Sequence, residues 1–282
     1  MPDLNTLMTG IEFGESPRWH EGRLWFSDWG AEKLYAVDLD GNAEVIVEVP
    51  SFPFCIDWTP EGQLLIVSAR RRAVLKLAPN GSLSEFADLS ILSDRPPNNE
   101  IVVDGRGSIY VNGGGFDMMA GEPPAPGTVA LISPDGEPRE VAGGLAFPNG
   151  MAVTPDNSTL IVAESYGRRL TAFDIAPDGS LDNRRVWADL GEDAPDGITV
   201  DAEGAVWYAD VPHAHCVRVR EGGEVLEKIE LDRGCFSCAL GGPDGRTLFI
   251  VAREWHGRDI SAGAGTGVLV ATRVDVPHAG WP

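Results

Sequence analysis

Residues 149–188 read NGMAVTPDNSTLIVAESYGRRLTAFDIAPDGSLDNRRVWA, and this stretch decides the fold. Four apolar, β-prone runs follow one another in it, at 149–154, 159–164, 170–175 and 185–188. Tight-turn residues separate them, as at Asp156-Asn157 and Asp178-Gly179. Short β-prone runs joined by such turns are typical of antiparallel hairpins. The stretch therefore predicts a sheet of four short antiparallel strands, A to D.

The same strand–turn–strand pattern occurs six times in the 282 residues. Its turns lie at Glu21-Gly22, Glu61-Gly62, Arg106-Gly107, Asp156-Asn157, Glu203-Gly204 and Asp244-Gly245. Successive turns are 40, 45, 50, 47 and 41 residues apart, a period typical of a β-propeller, whose blades bury their faces against each other. We predict an all-β fold, a six-bladed β-propeller of four-stranded antiparallel blades that forms one domain over residues 1–282. The sixth repeat has three clear strands, so we expect the N-terminal strand at 4–9 to close the last blade.

The composition limits the range of partners. A formal net charge of −21 argues against binding to nucleic acid or an anionic membrane, because both depend on Lys and Arg. The first residues do not resemble a signal peptide, and no apolar run reaches transmembrane length. We therefore expect a cytoplasmic protein with its four cysteines reduced. A closed ring needs no partner to cover an edge, so we expect a monomer or a weak dimer.

Aligning the repeats on their turns brings one position of each strand A into register. The six residues are Glu15, Phe54, Asn99, Asn149, Asp196 and Ser237. Four of them carry carboxylate or amide oxygens, the donors that Ca²⁺ prefers and that Mg²⁺ or Mn²⁺ accepts. We predict one divalent cation on the propeller axis, most simply Ca²⁺ with Mg²⁺, Mn²⁺ or Zn²⁺ as alternatives, held by Glu15, Asn99, Asn149 and Asp196. The alternative is that these residues hydrogen-bond strand ends around a wet channel.

The loops between strands B and C should surround these ring residues, because strand A starts at that end of the propeller. They carry Trp29, Tyr166 and His213, which we take as candidate substrate contacts. We expect Phe54 to form an apolar wall beside the cation, and Ser237 to bind water or substrate or to be structural. Exposed loop histidines are more often without function, which is the alternative for His213. The long segment 113–127 is either a lid over an apolar substrate or a surface insertion.

Several stretches resemble one known family. They are GESPRW at 14–19, NEIVVD at 99–104, FPNGMA at 147–152, PDGI at 195–198 and GGPDGRTL at 241–248. They are similar to the gluconolactonase, senescence-marker-protein (regucalcin) and luciferin-regenerating-enzyme family of six-bladed propellers, over nearly the whole chain. The resemblance implies a divalent cation held by Glu15, Asn149 and Asp196, with Asn99 beside it as a ligand or a substrate contact. It also implies hydrolysis of sugar lactones, or of aryl esters or organophosphates.

One departure from the family concerns the third repeat. Sugar lactonases of this family often carry Arg-x-Asn there, whereas here Arg95 stands four residues before Asn99. Arg95 is therefore a candidate substrate contact whose reach to the pocket is open.

Three functions fit these observations. The primary prediction is a metal-dependent lactonase, in which Asp196 activates water as a general base or attacks as a nucleophile. The second is an arylesterase or organophosphate hydrolase that uses the same cation. The third is a non-catalytic propeller that binds calcium or a partner protein, since a fold does not determine a function.

Overall fold

The computed structural model describes residues 3–92 and 98–280 and contains six four-stranded antiparallel sheets, the blades of a propeller. Blade one consists of β2 (Gly14–His20), β3 (Arg23–Asp28), β4 (Lys33–Val37) and β5 (Ala43–Glu48). Blade two consists of β6 (Phe54–Trp58), β7 (Leu64–Ser68), β8 (Ala73–Leu77) and β9 (Leu83–Asp88). Blade three consists of β10 (Asn98–Val103), β11 (Ile109–Gly113), β12 (Gly127–Ile132) and β13 (Pro138–Leu145).

Blade four consists of β14 (Pro148–Val153), β15 (Thr159–Glu164), β16 (Arg169–Ile175) and β17 (Leu181–Asp189). Blade five consists of β18 (Pro195–Val200), β19 (Val206–Asp210), β20 (His215–Val219) and β21 (Val225–Glu230). Blade six consists of β22 (Gly234–Gly241), β23 (Thr247–Arg253), β24 (Gly267–Arg273) and β1 (Asn5–Ile11). Two 3₁₀ turns lie at Leu89–Ile91 and Ile260–Gly263. Within the described residues, no helix is long and apolar enough to cross a membrane.

The prediction of a six-bladed propeller with four-stranded blades is confirmed, and so is its closure by the N-terminal strand. β1 pairs antiparallel with β24, from Asn5 opposite Ala271 to Ile11 opposite Gly267. The last blade thus contains strands from both ends of the chain. This pairing supplies the outer strand of the sixth blade and closes the ring.

The core lies between neighbouring blades. At the contact of blades three and four, for example, Val102 and Tyr110 pack with Met151, Val153 and Leu160. The inner strands are almost wholly buried, whereas outer strands such as β5 contain only exposed and half-buried residues. This gradient follows from face-to-face sheet packing, which buries both faces of the strands nearest the axis. All four cysteines are buried and free.

A β-bulge interrupts the inner strand of blades three, four and five, and it positions the site. In β14, Pro148 lies opposite Glu164 and Met151 opposite Val162, so that Asn149 and Gly150 share one partner position. The same shift follows Asn98 in β10 and Pro195 in β18. A bulge leaves one residue out of the ladder and turns its side chain in a new direction. The bulges therefore direct Asn99, Asn149 and Asp196 away from the regular alternation.

Candidate functional site

A cavity of about 350 Å³ opens at the end of the propeller where the inner strands begin. Its walls come from the connections that precede the inner strands and from the loops between the second and third strands of the blades, as the strand order predicts. Four of the predicted ring residues lie together in its lining, Glu15, Asn99, Asn149 and Asp196. The four residues with oxygen donors that are in register between the repeats therefore lie in one place in the structure.

Hydrogen bonds fix Asn149 within this group. Asn99 Nδ2 donates to Asn149 Oδ1 at 3.1 Å, and Asn149 Nδ2 donates to Ser165 Oγ at 3.4 Å. Ser165 Oγ in turn donates to the carbonyl of Pro195 at 2.7 Å. The chain of contacts links three blades, so the amide of Asn149 is oriented by its neighbours.

Glycines that follow two ring residues let the inner strands approach one another closely. A Cβ on Gly150 would lie 2.4 Å from the carbonyl oxygen of Asp196, and a Cβ on Gly197 would lie 1.9 Å from Ser237 Oγ. Any other residue at these positions would push the strands apart. The Asn-Gly and Asp-Gly pairs in strand A therefore bring the donors of neighbouring blades together.

Negative charge concentrates at the base of the cavity. Burial, together with the charges of Asp196 and Glu100, raises the pKa of Glu15 well above its usual range. Burial and the charges of Glu100 and Asp210 do the same to the pKa of Asp196. Arg18 lies nearby, and two carboxylates share its positive charge. Its Nη2 is 3.3 Å from Glu100 Oε1, and its Nε is 3.9 Å from Asp57 Oδ1. The arrangement favours a further positive charge between Glu15 and Asp196.

These residues fit a divalent cation. Among the described residues, Asp196 Oδ1 is buried and has no hydrogen-bond partner, a costly state unless a ligand completes it. Carboxylate and amide oxygens are the donors that hard cations take. Glu15, Asn149 and Asp196 would hold the ion, and Asn99 would orient Asn149.

The wall above the ring residues is apolar and aromatic. Trp29 stacks on Phe13 with ring centroids 5.1 Å apart, and Tyr166 stacks on Phe147 at 4.8 Å. The aromatic side chains in the lining are Phe13, Trp29, Phe52, Phe116, Phe147, Tyr166, Phe236 and Trp255. The cavity therefore combines a charged base with walls that present few polar groups.

Phe54 and Ser237 differ from the expectation that they face the cavity. Phe54 is fully buried in the core, and its neighbours Phe52 and Pro53 line the cavity instead. β6 is regular over its whole length and has no bulge to redirect a side chain. Ser237 is likewise buried and packs near Gly197, whereas Phe236 lines the wall. The bulge in β22 lies between Cys235 and Ser237, so the turn-based alignment is shifted by one residue there.

The other predicted substrate contacts have separate positions. Trp29 and Tyr166 line the cavity, and Tyr166 is half exposed at its rim. His213 is beside the cavity rather than in its lining, next to Val211 and Pro212, which do line it. Its Nδ1 lies 3.1 Å from Asp210 Oδ1. Arg95 lies outside the described residues.

The long segment 113–127 packs over one side of the cavity. Phe116 is buried against Phe147 and Tyr166, with ring centroids 5.4 and 5.9 Å away. Met118 and Met119 are half-buried and line the opening. The segment thus contributes apolar surface directly to the cavity.

Sequence reasoning missed Glu100 and the aromatic residues of the connections, Phe13, Phe52 and Phe236. Glu100 follows a ring residue directly, and a regular strand would turn it away from the channel. The bulge after Asn98 interrupts this alternation, and Glu100 is buried with its Oε1 3.3 Å from Arg18 Nη2. The signal for Glu100 was the unusual Asn-Asn-Glu run at the start of a buried strand.

The chain is similar to proteins of one known family. Residues 13–254 match the SMP-30/Gluconolactonase/LRE-like region. The chain is 25% identical to a 6-deoxy-6-sulfogluconolactonase of Pseudomonas putida, over 95% of this chain and 94% of that protein. It is 28% identical to the pentonolactonase XacC of Haloferax volcanii, over 97% and 94% of the two chains. A solved luciferin-regenerating enzyme superposes with a TM-score of 0.85 at 18% identity, over 99% of this chain and 97% of that one.

Proposed function

Because the chain belongs to the SMP-30/gluconolactonase/LRE-like family, we propose that it is a divalent-cation-dependent hydrolase that opens a lactone with an apolar substituent. The observation that carries this proposal is the group of Glu15, which is buried, with the half-buried Asn149 and Asp196 in the lining of an aromatic cavity. Its relatives named for sugar lactones are 25% and 28% identical, which supports the reaction type more than the substrate.

The side chains have distinct roles in the proposed reaction. A divalent cation bound by Glu15, Asn149 and Asp196 supplies Lewis acidity toward the lactone carbonyl. Asp196 accepts the proton of the water that adds to the carbonyl carbon. It returns this proton to the ring oxygen when the carbon–oxygen bond breaks, which yields the hydroxy acid. Asn99 keeps the amide of Asn149 in place during the cycle.

The cavity walls support an apolar substrate over a sugar lactone. Each hydroxyl of a sugar that is buried without a partner costs free energy, and the aromatic walls offer few partners. Phe147, Tyr166 and the half-buried Met118 and Met119 instead offer area for an alkyl or aryl group. The volume of about 350 Å³ suits a small molecule.

The same walls favour a second candidate function, the hydrolysis of an aryl ester or a phosphotriester by the same cation and Asp196. Its leaving group would pack against the aromatic lining, which includes Trp29 and Tyr166. Both candidates need the cation and Asp196, so the substrate panel separates them.

The test is a hydrolysis assay on gluconolactone, a long-chain γ-lactone, dihydrocoumarin, phenyl acetate and a phosphotriester. The protein is stripped with EDTA and then given Ca²⁺, Mg²⁺, Mn²⁺ or Zn²⁺. We expect cation-restored turnover, fastest on an apolar lactone, and a loss of at least about 100-fold in kcat for Asp196→Asn. Asp117→Asn, which alters a carboxylate at the same cavity outside the ring, is the matched control.

Each outcome selects one function. Preference for gluconolactone would contradict the apolar substrate, and preference for the esters would select the second candidate. Cation binding without turnover of any substrate would favour a non-catalytic binding propeller. Normal turnover by Asp196→Asn would exclude the proposed role of Asp196.

A further inference from the structure

A second group of metal-capable side chains lies beside the cavity, on blade five. Asp193 precedes β18, Asp210 ends β19, His213 lies in the following loop and His215 begins β20. One donor atom of each lies within 4.8 Å of the other three. We propose that this group, the blade-five cluster, binds a second divalent cation, a transition-metal ion such as Zn²⁺.

The local backbone brings the two imidazoles together. Ala214, between them, has a φ of 56°, in the left-handed region that β-carbon-bearing residues seldom adopt. The rings of His213 and His215 then lie 5.7 Å apart with 12° between their planes. His215 Nε2 is 2.9 Å from Asp193 Oδ2, and His213 Nδ1 is 3.4 Å from Asp193 Oδ1. Asp193 thus lies between two nitrogen donors.

The donor set differs in kind from that of the ring residues. The ring residues offer oxygen atoms, which suit Ca²⁺ and Mg²⁺. The blade-five cluster offers two imidazole nitrogens with two carboxylates, a set that suits Zn²⁺, Co²⁺ or Ni²⁺. The two sites should therefore select different ions from a mixture.

The cluster has a buried inner half and an open outer half. The side chains of Asp210 and His215 are 0% and 4% exposed, whereas those of His213 and Asp193 are 43% and 21% exposed. An ion can therefore enter from solvent and keep water as a further ligand. Across residues 3–92 and 98–280, neither Asp193 nor Asp210 forms an ion pair with Lys or Arg. Besides the histidines, Asp193 accepts a hydrogen bond from the hydroxyl of Tyr208 at 2.6 Å and Asp210 accepts from backbone amides, which are all neutral groups, so the cluster can take up a cation.

Blade one provides an internal comparison. Asp28 ends its second strand as Asp210 does, and accepts hydrogen bonds from the backbone of Phe13 and Ala31 at 2.9 and 3.1 Å. Asp210 makes the matching bonds to the backbone of Ala194 and His213, both at 2.7 Å. Both blades thus use an aspartate at this position to accept backbone hydrogen bonds, and this structural role does not require a histidine. The two histidines are the additional feature of blade five, and metal binding accounts for them.

The position of the cluster gives the ion a structural consequence. Asp193 stands three residues before Asp196, and Ala194 between them lines the cavity. A cation held by Asp193, His213 and His215 would tie the connection that leads to Asp196 to the neighbouring loop. Its binding should raise the melting temperature, because a ligand that binds the folded state stabilises it.

The test is a Co²⁺ titration of the full chain, with the ring site saturated by Ca²⁺, followed by calorimetry and by visible absorption. We expect one equivalent of Co²⁺ with the absorption of a nitrogen-ligated ion. His213→Ala should lower the Co²⁺ affinity at least about tenfold, as loss of a ligand or its support does. His256→Ala, which removes another exposed loop histidine, is the matched control and should bind as the wild type does.

Two results would overturn the proposal. One is unchanged Co²⁺ affinity in His213→Ala, and the other is no Co²⁺ binding by the wild type in excess Ca²⁺. Asp196→Asn separates the two sites, because it should weaken Ca²⁺ binding and leave the nitrogen-ligated Co²⁺ spectrum intact. Loss of that spectrum in Asp196→Asn would assign the Co²⁺ to the ring site and contradict a second site.

Discussion

Asn99 Nδ2 donates a hydrogen bond of 3.1 Å to Oδ1 of Asn149, across the gap between blades three and four. The acceptor is the atom that Asn149 would offer to the proposed cation, and an amide oxygen has a second lone pair for that purpose. The bond therefore orients the carbonyl without occupying it. We therefore propose that Asn99 acts mainly by positioning Asn149.

The first prediction concerns Asn99→Ala. Without the donor, Asn149 loses one of the contacts that hold its amide, and Ca²⁺ affinity should fall about 10- to 100-fold, as it does when an outer-shell partner is removed. Isothermal titration with Ca²⁺ measures the change. Asn98→Ala, at the neighbouring position of the same strand, is the control and should bind Ca²⁺ normally. Equal affinities in the two variants would contradict the positioning role.

The second prediction concerns the pH dependence of the cation-free protein. Burial raises the pKa of Glu15 and Asp196, and neighbouring carboxylates raise it further. In the unfolded chain both groups titrate at about pH 4. Above that pH the folded state binds more protons than the unfolded state, so stability decreases as the pH rises through the raised pKa values. We expect the melting temperature in EDTA to fall over this range and Ca²⁺ to remove most of the decrease.

Asp196→Asn isolates this effect from other titrating groups. In EDTA the variant should melt above the wild type, and the difference should grow with pH, because one buried negative charge is absent. In saturating Ca²⁺ the order should reverse. Scanning calorimetry at several pH values provides the measurement. A variant that melts below the wild type in EDTA at high pH would show that the carboxylates do not destabilise the cation-free protein.

The third prediction concerns the rim. Tyr166 is half exposed and stacks on Phe147, so Tyr166→Ala should remove substrate contact area with little loss of stability. We expect kcat/KM for an aryl lactone to fall about tenfold, the equivalent of about 1.4 kcal/mol, mainly through KM. Val225→Ala, which shortens an exposed apolar residue on an outer strand, is the control. An unchanged kcat/KM would place the substrate away from the Tyr166 side.

The sequence predicts the fold because every blade needs the same short apolar strands separated by tight turns. The second strand of blade four is predicted at its observed bounds, Thr159–Glu164, since its apolar run and flanking turns are unambiguous. The fourth strand extends from Leu181 to Asp189, beyond the predicted 185–188. An outer strand is half exposed and contains many polar residues, so a prediction based on hydrophobicity detects only part of it.

The site is predictable where the local sequence encodes the bulge. Asn149 and Asp196 are each followed by Gly and preceded by Pro, and both line the cavity. Phe54 and Ser237 lack that context, and an alignment based on turns cannot detect a bulge added or omitted in one blade. The blade-five cluster depends on contacts between residues 193 and 215 that hydrophobic patterns do not report.

The fourth prediction concerns Arg18, a half-buried residue of β2 three positions after Glu15. Its Nη2 contacts Glu100 Oε1 at 3.3 Å and donates to the carbonyl of Ile101 at 3.0 Å. Arg18→Met leaves the buried carboxylates of Glu100 and Asp57 without this charge, which should cost about 3–5 kcal/mol in the free energy of unfolding. Arg23→Met breaks a partly exposed pair with Glu44 and should cost less than about 1 kcal/mol.

Urea unfolding of both variants in saturating Ca²⁺ measures the difference. Adding Glu100→Gln to Arg18→Met should restore part of the lost stability, because the uncompensated buried charge is then removed together with its partner. A general packing defect at Arg18 would behave differently, since neutralising Glu100 would not repair it. Recovery in the double variant would therefore establish that Arg18 balances the carboxylates at the base of the cavity. Without such recovery, the role of Arg18 would be limited to packing and to its bond with the carbonyl of Ile101.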